Sequence, residues 1–263
     1  MDPLEPLIEN LRAEGRPRVW SLVITAFGDL VQHRGGAVSN KRLNALLGRI
    51  GIESGALRTA LSRLDRDGWV DRERNGRSSL CRLSRVGLTQ FDPATSVIYA
   101  PPRKAPVAVW RLSVALDKGV PTVRLTPADV PPLNSDLQVS GQVERVSDAY
   151  KLAFLEPAYR RALTVLGEDL LGIPNALDPL DAAAARLLLI HRWRRIVLRF
   201  PEPEPALLPK DCPLPDPRAA VARAYEMLSG PAEEWLSLPQ NGAPSMPQAD
   251  PSFATRFGLS TQA

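Results

Sequence analysis

The sequence predicts an α+β protein, with two helical ends separated by a short β-rich middle. Three observations carry this expectation. Residues 18–100 place apolar side chains at helical spacing and then alternate around an Asn75-Gly76 pair. Residues 101–147 are β-branched runs between proline turns, and residues 148–240 return to helical spacing. Many of the 26 prolines cluster at 101–106, 127–132, 201–217 and 239–251 and mark the joints, while residues 241–263, poor in apolar groups, read as a flexible tail.

In chain order, VWSLVITAFGDLVQHRGG opens strongly apolar and stops at a glycine pair, as a buried helix would. SNKRLNALLGRIG offers Ser39 as N-cap, Leu43, Leu46, Leu47 and Ile50 as an apolar stripe, and Gly51 as the residue that closes the helix. In SGALRTALSRLDR the stripe is Leu57, Ala60, Leu61 and Leu64, and Gly55, Arg58, Thr59, Ser62, Arg63 and Arg66 share the opposite face. Gly68 ends that helix. WVDRER–NG–RSSLCRL then reads as a two-residue hairpin, followed by a helix over roughly 85–98. VAVWRLSVAL, PTVRL and DLQVSGQVERV predict a small sheet. Beyond it come the helical stretches SDAYKLAFLEPAYRRALTVLGEDLL, DPLDAAAARLLLIHRWRRIVLRF and DPRAAVARAYEMLSGPAEEWLSL.

Across 263 residues the hydrophobic share of 44% and charged share of 24% are those of an ordinary globular chain, with no internal repeat. Cys81 and Cys212 are too few for a disulfide framework or a zinc site, and the N-terminal MDPLEPLIENLRAEGR lacks the basic start and apolar run of a signal peptide. The most apolar window, AAAARLLLI, is broken by Arg186 and too short to span a bilayer. A cytoplasmic protein without membrane contact is therefore expected. No P-loop, dinucleotide fingerprint, nucleophile elbow or zinc-protease motif occurs, and neither His33 nor His191 sits in a catalytic or metal-binding pattern. No enzyme, cofactor or metal is expected.

Charge is unevenly placed. From Ser54 to Arg85 eight arginines face four acids, a surplus equal to the +4 of the whole chain. Two helices joined by a short turn and followed by a hairpin are the parts of a winged helix-turn-helix, whose second helix enters the DNA major groove while the hairpin follows the backbone. Arginine suits both positions, since its fork grips guanine edges or phosphate pairs. The candidate base-readers are Arg58, Thr59, Ser62 and Arg63, with Ser54 and Gly55 at the helix start; Arg72, Arg74, Arg77 and Ser78 are the candidate backbone contacts. The alternative is a solvated surface, with Arg66 beside Asp65 and Asp67 in an ion-pair network.

The sequence resembles the PaaX family of bacterial repressors of phenylacetate degradation. The resemblance rests on SLVITAFGDLVQHRGGAV, ALLGRIGIESGALRTALSRLDRDGW, RNGRSSLCRLS, SVIYAPP, RLLLIHRWRRIVLRFPEPEPALLPKD and EEWL, and it covers both ends of the chain, about two thirds of it. It implies a homodimeric repressor on double-stranded operator DNA, released by an acyl-coenzyme A thioester such as phenylacetyl-coenzyme A. It also implies three parts: a winged-helix head, a small ferredoxin-like middle and a helical C-terminal effector and dimerisation domain. Four departures stand out. Glu53 replaces the serine expected ahead of the reader helix, leaving Ser54 to cap. Leu80 and Cys81 replace an aromatic pair in the wing, and Asp211-Cys212-Pro213-Leu214 replaces an aspartate–tryptophan–proline–glycine stretch. The four residues DKGV leave no room for the first ferredoxin-like helix, so the middle domain is reduced.

In ARLLLIHRWRRIVLRF, Leu189, Trp193, Ile196 and Phe200 line one face and Leu187 and Leu198 the other, the pattern of a central helix. Arg192, Arg195 and Arg199 form a basic stripe that, with His191, is the candidate effector site, since guanidinium groups hold coenzyme A phosphates. Alternatively His191 is a satisfied core histidine and the arginines make interdomain contacts or pair with acids such as Asp178 and Asp181. Two other functions stay open: a divergent DNA-binding regulator with another effector or none, and a protein that binds or hydrolyses acyl-coenzyme A.

Overall fold

The protein is described as a computed structural model covering residues 2–75, 78–131, 134–239 and 242–261. Helix α1 (Glu5–Ala13) precedes α2 (Val19–Ala26), which runs on into a π-helical turn, Phe27–Val31, and a 3-10 turn, Gln32–Arg34. Strand β1 (Ala37–Ser39), helices α3 (Asn40–Arg49) and α4 (Ser54–Arg66), strands β2 (Val70–Asn75) and β3 (Ser78–Leu83) and helix α5 (Arg85–Ile98) follow. A second sheet holds β4 (Trp110–Asp117), β5 (Val120–Pro127) and β6 (Leu137–Gly141). The C-terminal part is helical, with α6 (Asp148–Ala153), α7 (Pro157–Gly172), α8 (Pro179–Val197), α9 (Pro217–Ser237) and the single turn α10 (Pro251–Ala254). The class is α+β.

Local signals explain the boundaries near α3 and α4. Ser39 Oγ accepts the Arg42 N–H at 3.2 Å, and Gly51 leaves α3 at a φ of +81° that favours glycine. Leu57, Ala60, Leu61 and Leu64 are buried, the face predicted for α4. Ser54, expected to cap, is instead the first helical residue. Glu53 occupies the N-cap and makes no side-chain bond, so the first-turn N–H groups of α4 have no side-chain cap. β2 and β3 pair in register from Val70↔Leu83 to Asn75↔Ser78, and β1 joins β3 as a third strand that periodicity alone does not reveal.

The second sheet is antiparallel in the order β5-β4-β6. Lys118 and Gly119 turn β4 into β5, both with positive φ (50° and 84°), so a tight hairpin stands where a crossover helix would have been. Directly opposed pairs share a sheet face. Leu112 and Val114 on β4 therefore lie level with Leu125 and Val123 on β5 and with Val139 and Leu137 on β6. Much of this apolar face is open: Leu112, Leu116, Val123, Leu137 and Val139 are all exposed.

The two helical ends share one core. Leu22, Phe27, Leu30, Leu43 and Leu47 from the N-terminal part join Leu187, Leu189, Trp193, Tyr225 and Leu228 from the C-terminal part in a continuous buried cluster. That burial explains why α2 is apolar all round. It lies between α4 and α8, and residues 21–26 are all inaccessible. Gly28 is required by space, because a Cβ there would lie 2.1 Å from the Phe91 ring.

The π-helical turn aims Asp29 into this core. Arg186 donates to its carboxylate at 3.0 Å, both side chains being fully buried, and Tyr99 Oη donates at 2.9 Å. Arg186 also reaches Glu233 at 2.8 Å, which in turn accepts from Arg34 and His33. Burial works against the charge of Glu233, but the His33 hydrogen bond and the Arg186 charge outweigh it and hold its pKa at about 2.

The C-terminal segment, expected to be a flexible tail, is a strap across this cluster. The Asp250 N–H bonds to the His33 carbonyl (2.7 Å), Phe253 stacks on the His33 ring, and the Phe257 N–H bonds to the Tyr99 carbonyl (2.8 Å). Arg256 is buried and donates to the carbonyls of Asp29 (2.7 Å) and Gly28 (3.0 Å) and to Tyr225 Oη (2.9 Å). The strap docks through main-chain groups and three side chains, and so it lacks the apolar density of a packed helix. Arg256→Ala should cost about 3–5 kcal/mol of unfolding free energy, because acceptors stay buried without their donor. Urea denaturation measures this, and a loss below about 1 kcal/mol would mean that the strap merely rests on the surface.

Candidate nucleic-acid interface

Helix α4 presents a polar face on a rigid support. Its buried stripe packs on α2, and its exposed side carries Ser54, Gly55, Arg58, Thr59, Ser62, Arg63 and Arg66. The structure therefore brings the predicted reader residues together on one open face. Arg58 has no hydrogen bond or ion pair among the described residues. Thr59 Oγ1 bonds back to the Gly55 carbonyl at 3.1 Å. Arg63 and Arg66 both reach Asp67, at 3.4 Å, so the exposed network foreseen for Arg66 includes Arg63 as well. Such exposed pairs are weak and easily exchanged for another anion.

The hairpin lies beside α4. Arg72 leans back on the helix, with Nη2 3.4 Å from Ser62 Oγ and Nε 4.0 Å from Asp65. It thus braces hairpin to helix. Arg74 and Ser78 lie in β2 and β3 by backbone, and Arg77 lies outside the described residues. Arg82 pairs with Glu73 across the strands at 3.1 Å.

Two arginines of α3 face inward and hold the platform. Arg42, fully buried on α3, donates to the carbonyls of Trp235 (2.6 Å), Leu238 (2.7 Å) and Pro244 (2.9 Å), serving the carbonyls at the end of α9. Arg49 at the other end of α3 donates to Asp181 (2.5 Å) on α8 and to Asp2 (2.6 Å). Both ends of α3, the helix before α4, are thereby fastened to the rest of the chain. None of these partners was apparent in the sequence, since each lies far away along it.

The four residues predicted to hold an effector lie on or just beyond the C-terminal half of α8, and they do not share one environment. His191 is buried, with Nδ1 3.0 Å from Thr25 Oγ1 on α2. Burial, reinforced by the charges of Arg194, Arg195 and Arg192, drives its pKa down to about 3. Arg192 is buried and donates to Asp169 on α7 and to Glu14; Arg195, half exposed, donates to the other oxygen of Glu14. Arg199 is exposed and lies over the Phe200 ring. Asp181 pairs with Arg49 rather than with the stripe. Elsewhere, open cavities of about 430 and 450 Å³ flank the linker at 101–109. The guanidiniums there are already matched by carboxylates, Arg103 by Glu204 and Asp129 and Arg218 by Glu202. No group of three or more potential metal ligands occurs among the described residues, and no helix among them is long and apolar enough to cross a membrane.

Comparison with known proteins agrees in extent with this architecture. The profile of the family described as PaaX-like protein matches residues 18–87, and that of the PaaX-like protein C-terminal domain matches residues 150–238. The chain is similar to the transcriptional repressor PaaX of Escherichia coli strain K12, 28% identical over 282 aligned positions that cover 90% of this chain and 89% of the relative. Among solved structures, an uncharacterized protein from Mycobacterium tuberculosis aligns over 73% of this chain and 88% of its own, at 19% identity and a TM-score of 0.41.

The buried histidine makes stability pH-dependent. In the unfolded chain His191 titrates near its ordinary 6.5, whereas the folded chain refuses the proton down to about pH 3. The unfolded state therefore binds more protons in that window, and stability falls as pH drops through it, by about 1.4 kcal/mol per pH unit. Glu233, depressed from 4.5, adds in the same direction at still lower pH. His191→Gln should make the decline between about pH 6.5 and 5 shallower, measured by urea titrations across that range. An unaltered slope would mean that His191 does not carry it.

Proposed function

The chain belongs to the PaaX-like protein family, and on that premise we propose that it is a cytoplasmic transcriptional repressor, not an enzyme, which binds double-stranded operator DNA. In this reading α3, α4 and the β2–β3 hairpin work as a winged helix-turn-helix, with α4 in the major groove. The observation that carries it is the contrast among arginines. Those at 34, 42, 49, 186, 192 and 256 are consumed by internal carboxylates and carbonyls, whereas Arg58 points outward without a partner among the described residues. Arg58, Thr59, Ser62 and Arg63 would meet base edges. Ser54 and Gly55, at the helix start, would offer N–H groups to phosphate, and Arg72, Arg74, Arg77 and Ser78 would follow the backbone.

The finer reading is a repressor of a bacterial phenylacetate-type catabolic operon, released by an acyl-coenzyme A thioester such as phenylacetyl-coenzyme A. Two heads of a homodimer would meet half-sites spaced by one or more helical turns of about 34 Å. The open apolar face of the β4–β6 sheet supports self-association, since single chains seldom leave such a face uncovered. Release would follow from a ligand that binds better to a geometry in which the heads no longer fit the operator. The tight Lys118-Gly119 turn favours a second reading, a divergent regulator with another effector or none.

Anisotropy of a labelled duplex from upstream of the protein's own gene, with and without phenylacetyl-coenzyme A, tests the proposal. Tight binding that the thioester abolishes is expected. Arg58→Ala should cost about 1–3 kcal/mol on that duplex and little on random DNA. Binding no tighter than to random DNA, or an Arg58→Ala loss equal on both, would count against α4 as the reader.

A further inference from the structure

The N-terminal helix occupies an amphipathic trough on the C-terminal domain. α1 lies against α7 and α8 with Leu4, Leu7, Ile8 and Leu11 buried, and Asn10 donates to Asp169 at 2.8 Å. At its C-cap, Glu14 spreads its two oxygens between Arg192 and Arg195. A carboxylate at a helix C-terminus meets the negative end of the dipole, so its own helix does not favour it there. The two guanidiniums hold it.

The balance of charge beneath α1 shows what Glu14 does. Without α1 and its Glu14, Arg192 would keep only Asp169 and Arg195 would have no carboxylate, a surplus positive charge next to a trough stripped of its leucines. Arg194, whose guanidinium donates to Ser21 Oγ at 2.5 Å, adds to the positive field, and His191 is neutral. The remaining crevice between α1 and α8 is only about 10 Å³, too small for any ligand while α1 is seated.

We propose that α1 and Glu14 are an internal stand-in for an amphipathic anion, an acyl or aryl group joined to a phosphate or carboxylate, which displaces the helix and places its anion on Arg192 and Arg195 and its apolar part where Leu7 and Leu11 lay. The inference deepens the effector reading above and rests on it. It also supplies a path to the head. Asp2, just before α1, is one of the two carboxylates that hold Arg49 at the end of α3. Arg12 of α1 lies against the turn between α3 and α4, its Nη2 only 2.9 Å from where a Cβ on Gly51 would stand. Displacing α1 removes both contacts from the segment that leads into α4.

Hydrogen exchange and calorimetry on the full chain test this with phenylacetyl-coenzyme A as probe, and with coenzyme A and phenylacetate as separate arms to show which part of the ligand is recognised. The probe should strip exchange protection from the amides of residues 5–13. Glu14→Gln, which removes the competing charge, should bind it about tenfold more tightly, and Arg195→Ala, at a half-exposed position, about tenfold more weakly. Protection of α1 that survives saturation with the probe, or a Glu14→Gln affinity equal to that of the parent, overturns the proposal. If the probe releases DNA under those conditions, the effector reading stands and its site lies elsewhere. If the probe strips α1 but leaves DNA bound, the site stands and the effector reading falls. No binding to either protein overturns both.

Discussion

The structure depends on a carboxylate with no access to water. Asp29 is fully buried, and its charge is tolerable only because Arg186, Tyr99 and Arg256 converge on it from three distant parts of the chain. An isolated buried carboxylate costs several kcal/mol, and removing one member of such a group costs more than the group as a whole contributes. The network therefore acts less as a source of stability than as a test of geometry. It is satisfied here by α2, α5, α8 and the C-terminal strap together. The π-helical turn is the local device that directs Asp29 inward, and Gly28 gives Phe91 the room to lie against it.

Given that constraint, the N-terminal part is not a module hung on a linker. α3 is fastened at both ends, by Arg42 to the end of α9 and by Arg49 to α8. Held by this anchored frame, α4 turns an arginine-bearing face outward, which is the disposition a reader helix needs. A change in the packing of α8 need not travel through a flexible tether to reach α3. The two are in contact already.

What could be read from the sequence was whatever its cause lay within a few residues of. Ser39 and Gly51 bound α3 through their own backbone geometry, the stripe from Leu57 to Leu64 follows from helical period, and the hairpin follows from alternation around a turn pair. Ser54 was misplaced by one position, because helix ends depend on φ and ψ that composition does not specify. Long-range partners were invisible. The acids that answer Arg192 are Glu14 and Asp169, not the nearer Asp178 and Asp181, because pairing is decided by which helices pack together. The strap was missed for a related reason. Its hold comes from carbonyl groups, which every residue has, and from three side chains too sparse to register as a pattern. The exposure of the sheet face was equally hidden, since alternation announces a strand without saying what covers it.

The order in which the chain is made gives the strap a further meaning. Arg256 lies 227 residues after the Asp29 carbonyl and carboxylate that it completes. During synthesis, domains begin to fold as they emerge from the ribosome. Here the donor to the Asp29 carbonyl emerges long after the segment that holds Asp29. A chain halted before Arg256 has Asp29 paired with Arg186 and Tyr99 but leaves the Gly28 and Asp29 carbonyls without the donor that closes the group. Such a fragment carries every residue of the reader surface but not the group that closes its support, so synthesis of the strap is itself a checkpoint on whether the reader is held in place.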